Sequence, residues 1–197
     1  MNARGLSAII TIAKYFDEGE LLRIMNSTNG IITVFAGSAS RPFAQKMCDY
    51  LGVELGKSTT HIFSEGGIYV RADESIRNKD VYIVQSIGKD PNNAFTELIF
   101  WIDAFKRASA NSITAIIPYF GYAKADKKDE PRVSIRARVC ADCIEMCGAD
   151  RVVTMDLHAA QVQGFFSKPV DHLYASALLC EYARHLGIVN ENLVVVS

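Results

Sequence analysis

The 197-residue sequence predicts an α/β fold, a mostly parallel sheet flanked by helices. Three observations carry that expectation. Five short runs rich in Val and Ile read as strands: "IITVFAG" (31–37), "VYIVQS" (81–86), "ITAIIP" (113–118), "RVVTMD" (151–156) and "NLVVVS" (192–197). Most show no alternation of polar with apolar residues, as expected of strands covered on both faces in a parallel sheet. Stretches with helical spacing separate most of these runs, which is the strand–helix order of a sheet with helices on its faces. Polar loops follow several of the runs, and in open α/β sheets ligands collect beyond the carboxyl ends of the strands.

Taken in order, residues 1–29 read as a helical extension, with "LSAIITIAKYF" amphipathic and "DEGE" after it. That stretch lacks the small-residue cleavage site of a signal peptide. Asn29-Gly30 marks a turn before the first strand. Ser40 is a candidate cap for a helix over 41–51. "THIF" and "IYVRA" flank the turn "SEGG" (64–67). A long helix is expected over about 92–109, where Phe95, Leu98, Ile99, Ile102 and Phe105 share one face. Pro118 stops the strand at 113–118, and Gly148 suits the end of a helix over 135–147. A helix near 175–186 precedes the strand expected over 192–196. Phe165, Phe166, Leu173 and Tyr174 fall in a loop-like stretch and suggest interface surface, hence at least a dimer.

Composition narrows the function. The chain is 49% hydrophobic and 22% charged, with a formal net charge of −1. It lacks the basic surplus of a protein that holds nucleic acid along a face. No run reaches the roughly 18–20 apolar residues of a membrane span. Five cysteines without framework spacing point to reduced thiols and a cytoplasmic protein.

Three polar loops could carry chemistry: "SEGG", "YFGYAKADKKDEPR" (119–132) and "DLHAAQ" (156–161). Lys124, Lys127 and Lys128 suit a polyphosphate, being compact cations on flexible stems. A solvated loop, or ion pairs with Asp126 and Asp129, would account for the same residues. Asp156 and His158 sit two apart; in extended geometry they face one side and could share a cation or a water. Alternatively, Asp156 caps a helix starting near Ala159. Cys140, Cys143 and Cys147 share one helix face and read as packing thiols rather than metal ligands.

Together these stretches resemble the ribose-phosphate pyrophosphokinase (phosphoribosyl pyrophosphate synthetase) family. The resemblance rests on "VFAGSASRPFAQKMCDYLGVELGK", "ESIRNKDVYIVQS", "DAFKRASANSITAIIPYFGYAKADKKD", "GADRVVTMDLHAAQVQGFF" and "PVDHLYAS". It implies that 30–197 is an N-terminal domain of phosphoribosyltransferase-like α/β fold, without the C-terminal domain. It implies a reaction: diphosphate moves from ATP to ribose 5-phosphate, giving 5-phosphoribosyl 1-diphosphate for nucleotide biosynthesis. Mg²⁺ is the expected cofactor and a homo-oligomer, dimer to hexamer, the expected assembly. The match places Lys124, Asp126 and Asp129 in an ATP-binding loop, with Phe63 and Glu65 reaching adenine from a neighbouring subunit. His158, with Asp156, would serve the metal; Ser75, Arg77 and Arg132 match a regulatory phosphate or ADP site.

The chain departs from the family pattern at three places. Lys124-Ala125 stands for Arg-Gln, "FSEGG" with Gly67 for "FSDGE", and "FFSKPVD" for "FFDIPVD". By this template the catalytic flexible loop and the ribose 5-phosphate loop lie after Ser197. No complete catalytic set is therefore expected in this chain, and alone it is expected to be inactive. The alternative is a truncated or non-catalytic subunit that binds nucleotide and assembles with a synthetase.

Overall fold

The computed structural model describes residues 32–187 together with 189, 193 and 194. The helix expected over 1–29 lies outside them. Of the strand expected over 192–196 only Leu193 and Val194 are described, and neither is in a strand.

Five parallel strands form the central sheet, in the order β1-β4-β5-β6-β7. These are β1 (Ile32–Ala36), β4 (Asp80–Val84), β5 (Ser112–Ile117), β6 (Arg151–Met155) and β7 (Val170–Leu173). Their register sets Val34 opposite Tyr82, Ile83 opposite Ala115, Ile116 opposite Val153 and Thr154 opposite His172. The connections contain α1 (Arg41–Leu51), α2 (Pro91–Arg107) and α3 (Arg136–Cys147), and α4 (Ser176–His185) follows β7. Between α1 and β4, β2 (Ser58–Ile62) and β3 (Ile68–Ala72) form a separate antiparallel hairpin. Its turn is "SEGG", where Gly66 takes a left-handed φ of 88°.

Successive strand residues point to opposite faces, so each buried strand feeds two cores. Phe35, Ile83, Ala115 and Val152 pack with α2 and α3, while Val34, Ala36, Val84 and Val153 pack with α1. On the α2 side Phe35, Trp101 and Phe105 stack, with Phe35–Phe105 centroids 4.9 Å apart and Trp101–Phe105 5.2 Å. Each large side chain buried here contributes on the order of 1.5–3 kcal/mol. Leu98, Ile102 and Phe105 of the expected α2 face are fully buried, and Phe95 and Ile99 pack against them.

Two expectations change. β7 was read as loop, and with it Leu173 as interface surface; Leu173 is buried at the end of β7. The run "VDHL" is short and half polar because it lies at the edge of the sheet, among the described residues. Phe166 of the same stretch packs edge-on against Phe120, 6.0 Å between centroids. Ser40 precedes α1, but its hydroxyl makes no cap bond. It accepts instead from the Ser86 amide at 2.7 Å, joining the ends of β1 and β4.

That junction contains a buried polar knot around Glu97. Its carboxylate accepts from the Ser38 amide (2.9 Å), Gln85 Nε2 (2.9 Å), Thr60 Oγ1 (3.2 Å) and Trp101 Nε1 (3.4 Å), and from the Ser38 hydroxyl. Gln85 Oε1 accepts in turn from the Ala39 amide at 3.2 Å. Gly37 allows this: a Cβ there would lie 2.4 Å from Gln85 Oε1. A second carboxylate, Glu145, secures the segment before β7. It accepts from the Ser167 amide and hydroxyl, both at 2.6 Å, and from the Lys168 amide at 2.7 Å. Partial burial opposes its ionisation, but the bonds from Ser167 and Lys168 outweigh that and lower its pKa.

Two outcomes follow for stability. Glu97→Ala strands several buried donors at once and is expected to cost about 3 kcal/mol or more in urea unfolding. A group whose folded pKa is lowered contributes stability that is fully present above its unfolded pKa and lost as pH falls through the folded value. Glu145 therefore begins to lose its contribution as pH falls below the ordinary glutamate value of about 4.3, and has lost it below its lowered folded value. Thermal unfolding between pH 5 and pH 3.5 should show a shallower acid loss in Glu145→Gln than in the unsubstituted protein.

Candidate functional site

The candidate site lies beyond the carboxyl ends of β5 and β6. After β5 the chain stays anchored for several residues. The Ile87 amide donates to the Tyr119 carbonyl at 2.9 Å, and Phe120 is buried. Gly121 runs so close to Ile87 that a Cβ would meet its carbonyl oxygen at 2.4 Å. Tyr122 adopts a left-handed φ of 65°, and its hydroxyl bonds Asn92 on α2. Ala125 closes the turn, donating to the Tyr122 carbonyl at 2.9 Å and accepting from the Ala137 amide at 3.1 Å. The rings and glycine of "YFGY" thus fix the base of the loop. Lys124, Lys127, Lys128 and Asp129 are left exposed beyond it.

At the end of β6 the backbone reverses at Asp156, whose φ is 44°. The expected extended geometry of Asp156 and His158 is therefore not found. The turn nonetheless brings both to one pocket. This cavity of about 290 Å³ is lined by Lys124 and Tyr122 on one side and by Asp156, Leu157 and His158 on the other. Asp156 does not cap the short 3₁₀ helix Ala160–Phe165 that follows. Its Oδ1 accepts from the Ala175 amide at 3.1 Å, at the start of α4. The adjacent Leu157 amide donates to His172 Nε2 at 2.9 Å. Burial lowers the His172 pKa, partly offset by the nearby Asp156 charge.

The remaining candidates are dispersed. Asp126 accepts from Gln161 Nε2 at 3.3 Å, linking the lysine loop to the segment after His158. Phe63, 46% exposed, and Glu65 sit at the hairpin tip, and neither lines the pocket. Ser75 and Arg77 are exposed in the β3–β4 connection on either side of buried Ile76, and Arg132 is exposed with a left-handed φ of 67°. His172 was not singled out in the sequence, because only the pairing of β7 with β6 brings it under Leu157.

The site is electrostatically open. Among the described residues no ion pair joins Lys124, Lys127 or Lys128 to a carboxylate, so the intramolecular network considered for Asp126 and Asp129 does not form. Among the described residues no cluster of three or more His, Cys, Asp or Glu side chains could hold a metal. Asp156 and His158, one carboxylate and one imidazole, could at most serve an ion that keeps most of its own waters and takes few protein ligands. Cys140 is in the core, its thiol pushed up to about 11 by burial and the neighbouring Cys143.

The chain is similar to known proteins in both sequence and fold. A family model described as the N-terminal domain of ribose phosphate pyrophosphokinase matches residues 32–148. The ribose-phosphate pyrophosphokinase of Porphyromonas gingivalis is 50% identical over 173 residues, covering 88% of this chain and 54% of that protein. The chloroplastic ribose-phosphate pyrophosphokinase 2 of Arabidopsis thaliana is 43% identical over 187 residues, covering 95% and 47%. The crystal structure of phosphoribosylpyrophosphate synthetase from Mycobacterium smegmatis superposes with a TM-score of 0.77 at 42% identity, covering 80% of this chain and 53% of that one. The chain spans about half the length of the curated relatives it matches.

Proposed function

This chain belongs to the ribose-phosphate pyrophosphokinase family, and we propose that it supplies the ATP side of a ribose-phosphate diphosphokinase. In that reaction the diphosphoryl group of ATP passes to ribose 5-phosphate, giving 5-phosphoribosyl 1-diphosphate. The observation that carries the proposal is the pocket between Lys124 and the 156–158 turn; among the described residues neither Lys124 nor the neighbouring Lys127 and Lys128 is ion-paired to a carboxylate. A triphosphate needs such cations, because phosphoryl-type transfer depends on positioning and charge neutralisation.

In this reading Lys124 pairs with phosphate oxygens, and Lys127 and Lys128 raise the local positive potential. Asp126 and Asp129 orient the loop and meet the nucleotide. Asp156 and His158 hold the water shell of Mg²⁺; the ion, when bound, neutralises charge on the phosphates. Phe63 and Glu65 serve the adenine of a neighbouring subunit, which fits their place on an exposed hairpin tip away from the pocket. That arrangement calls for a homo-oligomer. Ser75, Arg77 and Arg132 are assigned to a regulatory phosphate or ADP, and the protein to a soluble compartment such as the cytoplasm. Among the described residues no helix is long and apolar enough to cross a membrane.

The departures are testable in place. Gly67 has an ordinary φ, and a Cβ there meets the flexible Glu65 Oε1 at 3.3 Å and Phe63 Cδ2 at an ordinary 3.6 Å, so Gly67→Glu fits once Glu65 gives way slightly. Isothermal titration with ATP and Mg²⁺ should give saturable heat. Lys124→Ala is expected to weaken ATP about tenfold, the loss of one charge-assisted contact. His158→Ala should raise the Mg²⁺ requirement, and Gly67→Glu with Ala125→Gln should tighten ATP. No heat from the unsubstituted chain, unchanged by the two restorations, would contradict the proposal.

A further inference from the structure

We propose that His172, on β7, is a positioning residue that fixes the 156–158 turn and so aims His158 and Asp156 into the pocket. This rests on the Mg²⁺–triphosphate reading of that pocket.

The turn begins with a backbone conformation that L side chains rarely adopt, the left-handed Asp156. Such a residue persists only where its surroundings over-determine it. Here the surroundings are the end of β7 and the residues just after it. The Asp156 amide donates to the Leu173 carbonyl at 2.9 Å, and the Ala175 amide donates to Asp156 Oδ1 at 3.1 Å. Both contacts belong to Asp156 itself. The Leu157 amide is held by a side chain instead, His172 Nε2 at 2.9 Å. Without that acceptor the peptide linking Asp156 to Leu157 is free to rotate, and His158 follows.

The His172 ring is itself held in orientation. A neutral imidazole that accepts through Nε2 carries its proton on Nδ1. The Gln163 Nε2 group 3.4 Å away is itself a donor, to the Ala160 carbonyl at 3.0 Å, so it is the Leu157 bond and the neighbouring Tyr174 ring that orient His172. One ring face packs on Tyr174, with centroids 4.2 Å apart. His172 sits half-buried behind the pocket wall and does not line it. It touches neither phosphate nor metal; it acts through Leu157. Outer partners of this kind, when removed, typically cost roughly 10–100-fold in metal affinity.

The test compares two variants of the full 197-residue chain. His172→Gln can place an amide oxygen where Nε2 accepts from the Leu157 amide, and His172→Leu cannot. The readouts are the Mg²⁺ concentration giving half-maximal ATP binding, the melting temperature, and hydrogen exchange of the Leu157 amide by NMR. The expected result is that His172→Leu needs about tenfold more Mg²⁺, and His172→Gln stays near the unsubstituted chain. Leu157 exchange should be slow in the unsubstituted chain and fast in His172→Leu. If His172→Leu does not fold, His172→Phe replaces it, keeping a ring without the acceptor. Equal Mg²⁺ requirements in all chains, or an equal loss in both variants, would overturn the role. So would an unprotected Leu157 amide in the unsubstituted chain. Absence of any Mg²⁺-dependent ATP binding in the unsubstituted chain would instead overturn the underlying reading of the site, and Leu157 exchange would still judge the contact.

Discussion

The carboxylate of Glu97 holds four separate pieces of chain in one arrangement. Bonds from Ser38, Thr60, Gln85 and Trp101 tie the loop after β1, the hairpin, the end of β4 and helix α2 to one buried point. A buried polar group without partners is costly, so these donors and this acceptor are far more stable together than apart. The sheet alone would fix the strands but leave the hairpin unattached, because among the described residues β2 and β3 pair only with each other. The knot, with Val70 and Ala72 of β3 packed against the core on the α2 side, sets the hairpin, with Phe63 and Glu65 at its tip, relative to the carboxyl edge of the sheet.

The pocket uses a different device. Its floor is apolar and rigid: Phe120 is buried, Gly121 lies against Ile87, and Met155 ends β6. Its polar groups are carried one or two residues further on, where the chain has just left the sheet. Left-handed residues at Tyr122 and Asp156 make both reversals short, and side chains from other elements hold each of them. The exposed lysines beyond Tyr122 then have a fixed base and mobile ends, which suits a ligand whose charge is spread over several oxygens.

Much of this was legible in the sequence. Uninterrupted apolar runs identified β1, β4, β5 and β6, and helical spacing identified α1 to α4, because burial on both faces and one-faced packing leave distinct periodicities. The lysine loop and the Asp156–His158 pair stood out as candidates from residue type and position after a strand, and the structure brings Lys124, Asp156 and His158 to one pocket. What the sequence hid depends on pairing between distant segments. β7 is four residues with Asp171 and His172 inside it, too short and polar to register as a strand. The Ser40 hydroxyl looks like a helix cap and bonds Ser86 instead. Glu97 looks like an ordinary helix glutamate until three other segments converge on it. His172 gains its role only when β7 lies beside β6.

The central claim is that the loop after β5 and the turn after β6 form one metal–triphosphate site. The direct measurement is a crystal structure of the chain with ATP and Mn²⁺ in place of Mg²⁺, read by the anomalous signal of the metal. The account predicts one Mn²⁺ peak at the mouth of the pocket, within direct or water-bridged reach of His158, with triphosphate density running to Lys124. Triphosphate bound elsewhere on the chain, or an occupied nucleotide with Mn²⁺ remote from both His158 and Asp156, would contradict it.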